Sequence, residues 1–425
     1  MGSLGGYEVQ FDIFTWFGWI FDWFIGALVW LWGFLTWPFL WEGPFDIFTW
    51  FGGLLDWIFG VLLWFWWYIK WFIIWALDLI NWIWALAVIP ENFMFLFRAI
   101  VFPGLIFVLL ALIFTVWFTR KIWARLQDRR GPMHMGKYGG LQLFADAIKL
   151  MSKEIIIPDK AKRWMYRILP SLLLVIVMLP FAFIPWDPYW NILGSPTSPF
   201  PDLSVSLVLV FAILTAVPVF SLLIGWISGS KYSLIGGFRA ANNQFAAEIP
   251  MVISSVGPAM LAGSLSLYGI VMAQTNIWYI VLLPINFITF FVAAIASVGT
   301  FPFDAPVADS EIIFGWRTEL SGIYFTVVYF AEFAEQMLYS ALMVTLFLGG
   351  FNGLPFLAGI VNFVIKWLVV FFLFIVVTSS FYRLRQDQVV HLCWKYLIPL
   401  SILNVVLVMF ALVYIPGLVP LVIGG

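Results

Sequence analysis

Residues 321–348 read SGIYFTVVYFAEFAEQMLYSALMVTLFL, and this stretch decides how the rest of the chain is interpreted. Its 28 residues exceed the roughly 20 that cross the hydrocarbon core of a bilayer. It nevertheless contains Glu332, eleven residues from its start, and Glu335 three residues further. At about 1.5 Å per residue, the two carboxylates lie roughly 17 to 21 Å deep, near the middle of a membrane. Because a charge there is costly unless it is paired, protonated or hydrated, a functional role is favoured over a purely structural one.

The sequence on either side has the same membrane character. Hydrophobic residues make up 64% of the 425 positions and charged residues 10%, against about 25% charged in soluble domains. We therefore predict an all-α, polytopic membrane protein whose core, residues 93–425, has eight transmembrane helices. The other seven apolar runs lie at about 99–118, 168–186, 203–228, 250–272, 277–298, 355–380 and 396–418.

Net charge and cysteine content exclude several classes of function. The net charge of −1 argues against nucleic acid as a partner, because phosphate binding needs an excess of Lys and Arg. The single cysteine, Cys393, and the two histidines, His134 and His391, cannot build a disulfide framework, an iron–sulfur site or a zinc cluster. We expect no metal site and no catalytic centre in this chain alone.

The basic residues predict the orientation of the helices. Because consecutive helices cross in opposite directions, the connectors at 119–167, 229–249, 299–320 and 381–395 lie on one side. Eighteen of the 21 Lys and Arg residues fall in these four connectors; the others are Lys70, Arg98 and Lys366. The positive-inside rule assigns that side to the cytoplasm of a prokaryotic cell, with the protein in the plasma membrane.

Residues 1–92 form an aromatic-rich extension with an internal repeat of 34 residues. The segment FDIFTWFG at 11–18 recurs at 45–52, and residues 1–69 contain no Lys or Arg, unlike a secretory signal peptide. We expect two or three additional hydrophobic helices here. Polar and small residues recur three or four apart in each copy. The stripe fits a packing seam between membrane helices, which we favour, or the wet face of interfacial helices.

The first connector carries a dense polar motif. Residues 125–132 read RLQDRRGP, residues 140–154 read GLQLFADAIKLMSKE, and Pro158 follows. The spacing of Asp146, Lys149 and Lys153 allows them to pair on one helical face. The alternative is a solvated basic loop beside lipid headgroups. This order of residues resembles the H subunit family of respiratory complex I and its energy-converting relatives.

The other three connectors extend the resemblance to residues 99 to about 404. Residues 231–248 read KYSLIGGFRAANNQFAAE, and residues 301–322 read FPFDAPVADSEIIFGWRTELSG. Residues 383–400 read RLRQDQVVHLCWKYLIPL. The third connector crowds four acids, Asp304, Asp309, Glu311 and Glu319. Because like charges oppose joint ionisation, we expect some of these acids to have raised pKa values and to take up protons.

The resemblance implies a subunit that joins a redox arm to ion pumps. Acids at positions such as Glu248, Glu319 and Glu332 then help to form a hydrated path, and Lys366 is a candidate partner of Glu335. The expected ion-coupling residues are Glu248, Asp304, Asp309, Glu311, Glu319, Glu332, Glu335 and Lys366. The residues expected to dock the redox arm are Arg125, Gln127, Arg129, Arg130, Asp146, Lys149, Lys153, Glu154, Arg239, Arg383, Arg385 and Asp387.

Some positions depart from the family pattern where a quinone tunnel would lie. Met133 and His134 replace the usual Asn-Arg after Gly-Pro, and Thr300 and Val307 replace an Arg and a Glu. These losses favour an archaeal or anaerobic branch that reduces sulfur compounds or protons. The corresponding M subunit of a membrane-bound sulfane reductase is more similar than that of a hydrogenase. A quinone- or phenazine-binding subunit is the alternative.

The resemblance also implies partners. We expect iron–sulfur and nickel–iron-hydrogenase-like large subunits, antiporter-like membrane subunits and the lipid bilayer, with iron–sulfur clusters held by the partner subunits and no cofactor held by this chain alone. A stand-alone ion transporter is a weaker interpretation, because transporters usually repeat within the transport core. A scaffold with inert acids is a third possibility.

Overall fold

The computed structural model describes residues 97–188, 203–353 and 358–414, except for the side chains of Lys137, Asp309 and Ser310. The N-terminal extension of residues 1–92 lies outside these residues, so its repeat, its helices and its boundary stay predictions. Every regular element of the described part is helical. The α-helices are α1 Leu105–Leu126, α2 Gln142–Met151, α3 Arg163–Met178, α4 Ser206–Leu214, α5 Val217–Ile227, α6 Lys231–Ala262, α7 Leu267–Ala273, α8 Tyr279–Leu282, α9 Pro284–Val298, α10 Asp309–Ile312, α11 Gly322–Phe347, α12 Gly359–Ser380, α13 Gln386–His391 and α14 Ile398–Tyr414.

Six helical segments of the described part are long and apolar enough to cross a membrane, which confirms a polytopic all-α protein. A further apolar helix, α9, has 15 residues, and α11 has 26 residues but carries two glutamates. Together these provide a helix at each of the eight predicted positions. The six segments are Phe97–Leu126, Arg163–Phe183, Ser206–Ile227, Lys231–Ala262, Gly359–Ser380 and Gln386–Tyr414.

The predicted connector at 229–249 is not a loop. Its residues form the first half of α6, which has 32 residues and continues through Pro250 and Pro258. This half of α6 contains polar residues such as Asn243 and Gln244, and both side chains are buried. These two side chains therefore face the interior of the helix bundle. The helix begins at Lys231, earlier than hydropathy predicts.

Two helices form the centre of the molecule. Helix α11 packs against α1, α3, α9 and α12, and α6 packs against α5, α9 and α14. Every residue of α11 from Ala334 to Phe347 is buried. Because α9 contacts both α6 and α11, polar side chains of these three helices face one another in the interior rather than lipid.

A short 3₁₀ turn, Gly315–Arg317, closes this centre from the third connector. The turn packs against α5 and α6. Its approach requires Gly236 on α6, because a Cβ at that position would lie 2.4 Å from the backbone nitrogen of Trp316. The glycine therefore lets the connector backbone rest directly on α6, which places Arg317 beside α11.

Candidate functional site

The first carboxylate of α11, Glu332, is paired with an arginine. Arg317 Nη1 lies 2.6 Å from Glu332 Oε2, and the two side chains are 11% and 20% exposed. The guanidinium also lies over the rings of Phe314 and Trp316, at 5.2 and 5.6 Å from their centroids. Sequence reasoning missed this partner. The available signal was that Arg317 is the one basic residue between positions 299 and 320.

The second carboxylate, Glu335, lies one turn further along α11 in a network of hydroxyl groups. Tyr339 donates a hydrogen bond to Glu335 Oε1 at 3.1 Å, and Ser297 of α9 donates to the same oxygen at 3.4 Å. The two hydroxyl oxygens are 3.0 Å apart. All three side chains are buried. Glu335 is therefore held by groups that can both donate and accept a proton.

A third carboxylate, Glu248, lies on α6 and was predicted in a connector. It is buried, and its Oε1 atom has no hydrogen-bond partner within the described residues. Neither amide atom of the buried Asn243, on the same helix, has one. Burying polar groups without hydrogen bonds costs free energy. The protein contacts in this part of α6 therefore leave the hydrogen-bonding needs of Glu248 and Asn243 unmet.

A small polar cavity connects these helices. It has a volume of about 20 Å³, room for one water molecule. Gln244 in its wall accepts a hydrogen bond from Ser221 of α5 at 2.9 Å. Its polar lining consists of Ser221, Asn243, Gln244, Ser297, Arg317, Glu332 and Glu335.

One position where the sequence departs from the family pattern lies at this cavity. Val307 is buried and lines the cavity wall. Thr300 is another departing position, and its buried hydroxyl has no hydrogen-bond partner within the described residues. The interior therefore has an apolar side chain at a position where the resemblance leads us to expect a carboxylate.

The acids of the third connector do not form one cluster. Glu311 makes an ion pair with Arg239, whose guanidinium lowers the pKa of that carboxyl. Asp304 takes part in other contacts, and its backbone oxygen accepts a hydrogen bond from Arg383 at 2.6 Å. The side chain of Asp309 lies outside the described residues. Glu311 is therefore not one of the acids whose pKa is raised, because the Arg239 guanidinium is its direct partner.

Glu319 contributes its backbone to the connection between α3 and α11. Its carbonyl oxygen accepts a hydrogen bond from the hydroxyl of Tyr166 on α3 at 2.7 Å. The ring of Tyr166 also makes an edge contact with Tyr324 on α11, with 5.5 Å between the centroids. The expected ion-coupling role of the Glu319 side chain stays a prediction.

Lys366 is not the partner of Glu335. Its ammonium donates to the backbone oxygens of Leu348, at 2.6 Å, Gly350, at 3.1 Å, and Asn352. It also lies 4.5 Å from the ring centroid of Trp278. Leu348 follows the last residue of α11, thirteen residues or about 20 Å of helix beyond Glu335. The lysine therefore caps the far end of α11, where the helix dipole is negative.

The first connector holds an ion pair that differs from the predicted one. Arg120 of α1 lies 2.6 Å from Asp146 of α2, and Gln142 donates to the same carboxylate at 3.1 Å. Partial burial alone would raise the pKa of Asp146, but these hydrogen bonds outweigh it and hold the pKa below its ordinary range. Helix α2 ends at Met151, so Lys153 is not on its face as predicted.

Most of the predicted docking residues are exposed and grouped in two connectors. Arg239 and Arg383 are half-buried, through their contacts with Glu311 and the Asp304 backbone. Within the described residues, no group of three or more His, Cys, Asp or Glu side chains could hold a metal ion. The exposed docking residues are Arg125, Gln127, Arg129, Arg130, Lys149, Lys153, Glu154, Arg385 and Asp387.

Known proteins resemble this chain over its core. The family model for NADH dehydrogenase matches residues 99–409. The H subunit of NADH-quinone oxidoreductase from Dehalococcoides mccartyi is 38% identical over 319 residues, covering 75% of this chain and 88% of that protein. An H subunit of the same enzyme from Geobacter sulfurreducens is 38% identical over 304 residues, covering 71% and 92%. These relatives are bacterial, and an archaeal source for this chain stays a prediction. The chain belongs to the NADH dehydrogenase family, as a polytopic protein of the complex I H-subunit type.

Proposed function

We propose that this chain is the membrane-anchored coupling subunit of a multi-subunit respiratory oxidoreductase, linking electron transfer to translocation of H⁺ or Na⁺. The observation that carries the proposal is the row of carboxylates inside the helix bundle. Glu332 and Glu335 lie one turn apart on α11 and line a single polar cavity with Arg317 and Ser297. A hydrophobic bundle needs no such groups for its stability, so their placement supports a role in moving charge.

The path in this proposal begins at the third connector. Arg317 holds the charge of Glu332 where the connector meets α11. A charge change near the connector alters the balance of this ion pair. Glu335 responds one turn deeper, where Tyr339 and Ser297 can rearrange their hydroxyl protons. Glu248 on α6 is the next acid in the proposed path, and its Oε1 atom has no hydrogen-bond partner within the described residues.

The proposal is tested by replacing the ionisable carboxyl group of Glu335 in the assembled complex. We expect Glu335→Gln to preserve electron transfer but to lower the ion gradient per electron about tenfold or more, since groups that transfer protons contribute roughly 10²- to 10⁴-fold. The measurement follows both rates in the same sealed vesicles. The matched control is Asp159→Asn, an exposed connector carboxylate outside the site. If Glu335→Gln translocates as many ions per electron as the wild type, the interpretation as a scaffold with inert acids is favoured.

The docking role rests on the connectors. Their exposed arginines and acids offer a charged surface that suits iron–sulfur and nickel–iron-hydrogenase-like subunits, while the lipid-facing helices suit antiporter-like subunits. On this proposal the iron–sulfur clusters belong to the partners and this chain holds none. Isolation in mild detergent, followed by identification of the copurifying proteins, tests it. Recovery of this chain without partners would contradict it.

The orientation follows from the same basic residues. We place the four connectors in the cytoplasm because 18 of the 21 Lys and Arg residues lie there in the sequence. Asp159 is an exposed residue of the first connector and lies outside the predicted docking residues. Asp159→Cys, introduced into a Cys393→Ala background, should react with a membrane-impermeant maleimide in inverted vesicles and not in intact cells. Cys393 is the single cysteine of the chain and is buried, so its replacement removes the one other thiol that could react. Labelling in intact cells would show that the connectors face the outside of the cell and would contradict this orientation.

For the electron acceptor, the favoured proposal is a sulfur compound or protons, as in a sulfane reductase or hydrogenase branch. It is supported by Met133, His134, Thr300 and Val307, which replace polar groups of the quinone-using pattern, and by the apolar cavity wall at Val307. A quinone is the second candidate, supported by the names of the relatives. Reduction rates of the isolated complex with polysulfide, protons and a short-chain quinone separate the two. Quinone reduction coupled to an ion gradient would favour the second.

A further inference from the structure

A broad groove opens on the outer side of α1, away from the carboxylates. It has a volume of about 830 Å³ and lies between the last three turns of α1 and the loop that follows. Phe114, Trp117 and Phe118 form one end, and the basic residues Lys121, Arg125, Arg129 and Arg130 line the other. The groove thus changes from aromatic to cationic along its length.

The groove is built by specific bonds between the loop and α1. Lys121 donates a hydrogen bond to the backbone oxygen of Pro132 at 2.6 Å, and the indole of Trp117 donates to that of Tyr138 at 3.4 Å. Gly139 has a positive φ of 73°, and a Cβ there would lie 2.2 Å from the Pro132 oxygen. These contacts fix the loop over the helix, so the groove is a defined feature of the fold.

The aromatic end lies at membrane depth. Phe114 belongs to the apolar segment Phe97–Leu126, stacks on Phe118 with 5.6 Å between the ring centroids, and is 40% exposed. A surface in this position faces acyl chains. A water-soluble protein cannot reach it without entering the hydrocarbon region.

The cationic end is available for a ligand. Arg125, Arg129 and Arg130 are exposed, and their guanidinium groups make no hydrogen bond or ion pair with other described residues. Asp128 also lines the groove, so three free arginines face one carboxylate. This excess of positive charge suits an anion, and the planar guanidinium group binds phosphate oxygens in pairs.

We propose that this groove binds an anionic phospholipid of the bilayer. The arginines hold the phosphate group, and an acyl chain lies along Phe114, Trp117 and Phe118. Neither end alone selects such a ligand: a free anion gains nothing from the aromatic surface, and a neutral lipid gains little from the arginines. On this proposal Arg125, Arg129 and Arg130 bind the lipid and do not dock the redox arm, which is left to the other predicted docking residues. The inference does not depend on the coupling role of the carboxylates.

The test measures lipid binding to the purified, delipidated protein with its copurifying subunits. We expect phosphatidylglycerol to raise the melting temperature more than phosphatidylcholine with the same acyl chains, and inorganic phosphate to raise it least. Arg125→Gln/Arg129→Gln should weaken the phosphatidylglycerol response about 30-fold in concentration. Exposed Arg→Gln changes usually have little effect on folding.

The matched control is Arg163→Gln/Arg167→Gln, which removes the same charge from exposed positions on α3 outside the groove. It should keep the full response. An equal loss in the control, or an equal response to phosphatidylcholine, would show general surface attraction and overturn the site. An undiminished response in the groove variant would also overturn it.

A second measurement locates the lipid without relying on variants. Phosphatidylglycerol carrying a diazirine in its acyl chain should label the peptide that contains residues 114–118 after illumination. Labelling confined to other helices would overturn the proposal. Labelling of a peripheral subunit in place of this peptide would also overturn it, because that subunit would then occupy the groove.

Discussion

The carboxylates inside the helix bundle and those on the connectors are chemically alike, but their surroundings separate their roles. Glu332 pairs with Arg317 where both side chains are largely buried, whereas Glu311 pairs with Arg239 and remains 57% exposed. An exposed pair is screened by water and salt, so losing it matters little. Removing one member of a buried pair is strongly destabilising, because the remaining charge is left without a counter-charge and without contact with water. Burial, rather than charge, therefore decides which acids are critical.

The sharpest test of this contrast removes one member of the buried pair. We expect Arg317→Met to destabilise the protein by about 3 to 5 kcal/mol, because Glu332 is left without its counter-charge. The double variant Arg317→Met/Glu332→Gln should recover much of that loss. Thermal unfolding of the purified protein in detergent measures both. Equal losses in the single and double variants would mean that the pair has little coupling energy.

A second test separates a structural charge from a coupling charge. We expect Lys366→Met to lower stability by about 2 to 3 kcal/mol, because the carbonyl oxygens of Leu348, Gly350 and Asn352 lose a charged donor. Ion translocation per electron should stay unchanged in assembled complexes, unlike in Glu335→Gln. A loss of coupling comparable to that of Glu335→Gln would extend the functional path to the far end of α11.

A third test displaces the buried pair without changing any charge. Gly236→Ala should cost about 1 to 3 kcal/mol, because the new Cβ meets the backbone of Trp316 and pushes the Arg317 turn from α6. Gly237→Ala is the neighbouring control. Its Cβ would lie 3.3 Å from the Leu222 backbone, which is closer than an ordinary contact but much less severe than the 2.4 Å contact at Gly236. Thermal unfolding of both variants should rank them in that order. Equal stability would show that the turn can move freely.

The smallest effect is expected at the exposed pair. Glu311→Gln should change stability by less than about 1 kcal/mol, and less still at high salt. The pKa of Glu311 is lowered by Arg239, so its contribution is present at pH values above the unfolded pKa and disappears as pH falls through the folded pKa. Melting temperatures of wild type and variant should converge in that acidic range. A difference that grows with acidity would contradict the pairing.

Much of the fold could be predicted, because a membrane helix is one continuous apolar run that the sequence shows directly. All eight helical positions were found, and α9 and the glutamate-bearing α11 were included although they depart from a uniform apolar span. The first half of α6 was assigned to a connector, because its charged residues Lys231, Arg239 and Glu248 interrupt the apolar run. Local composition cannot distinguish polarity that faces water from polarity that faces another helix.

Hydropathy and motifs along the chain are enough to predict a membrane protein of the H-subunit type with Glu332 and Glu335 deep in an apolar span. The burial of these groups and their partners follow from the packing of the helices. Ser297 reaches Glu335 across 38 residues, and Lys366 turns to carbonyl oxygens at the end of α11 instead of to a carboxylate. Hydropathy and motifs depend on neighbouring residues, whereas an ion pair or a hydrogen bond depends on how the helices pack, and packing joins residues that the sequence keeps apart.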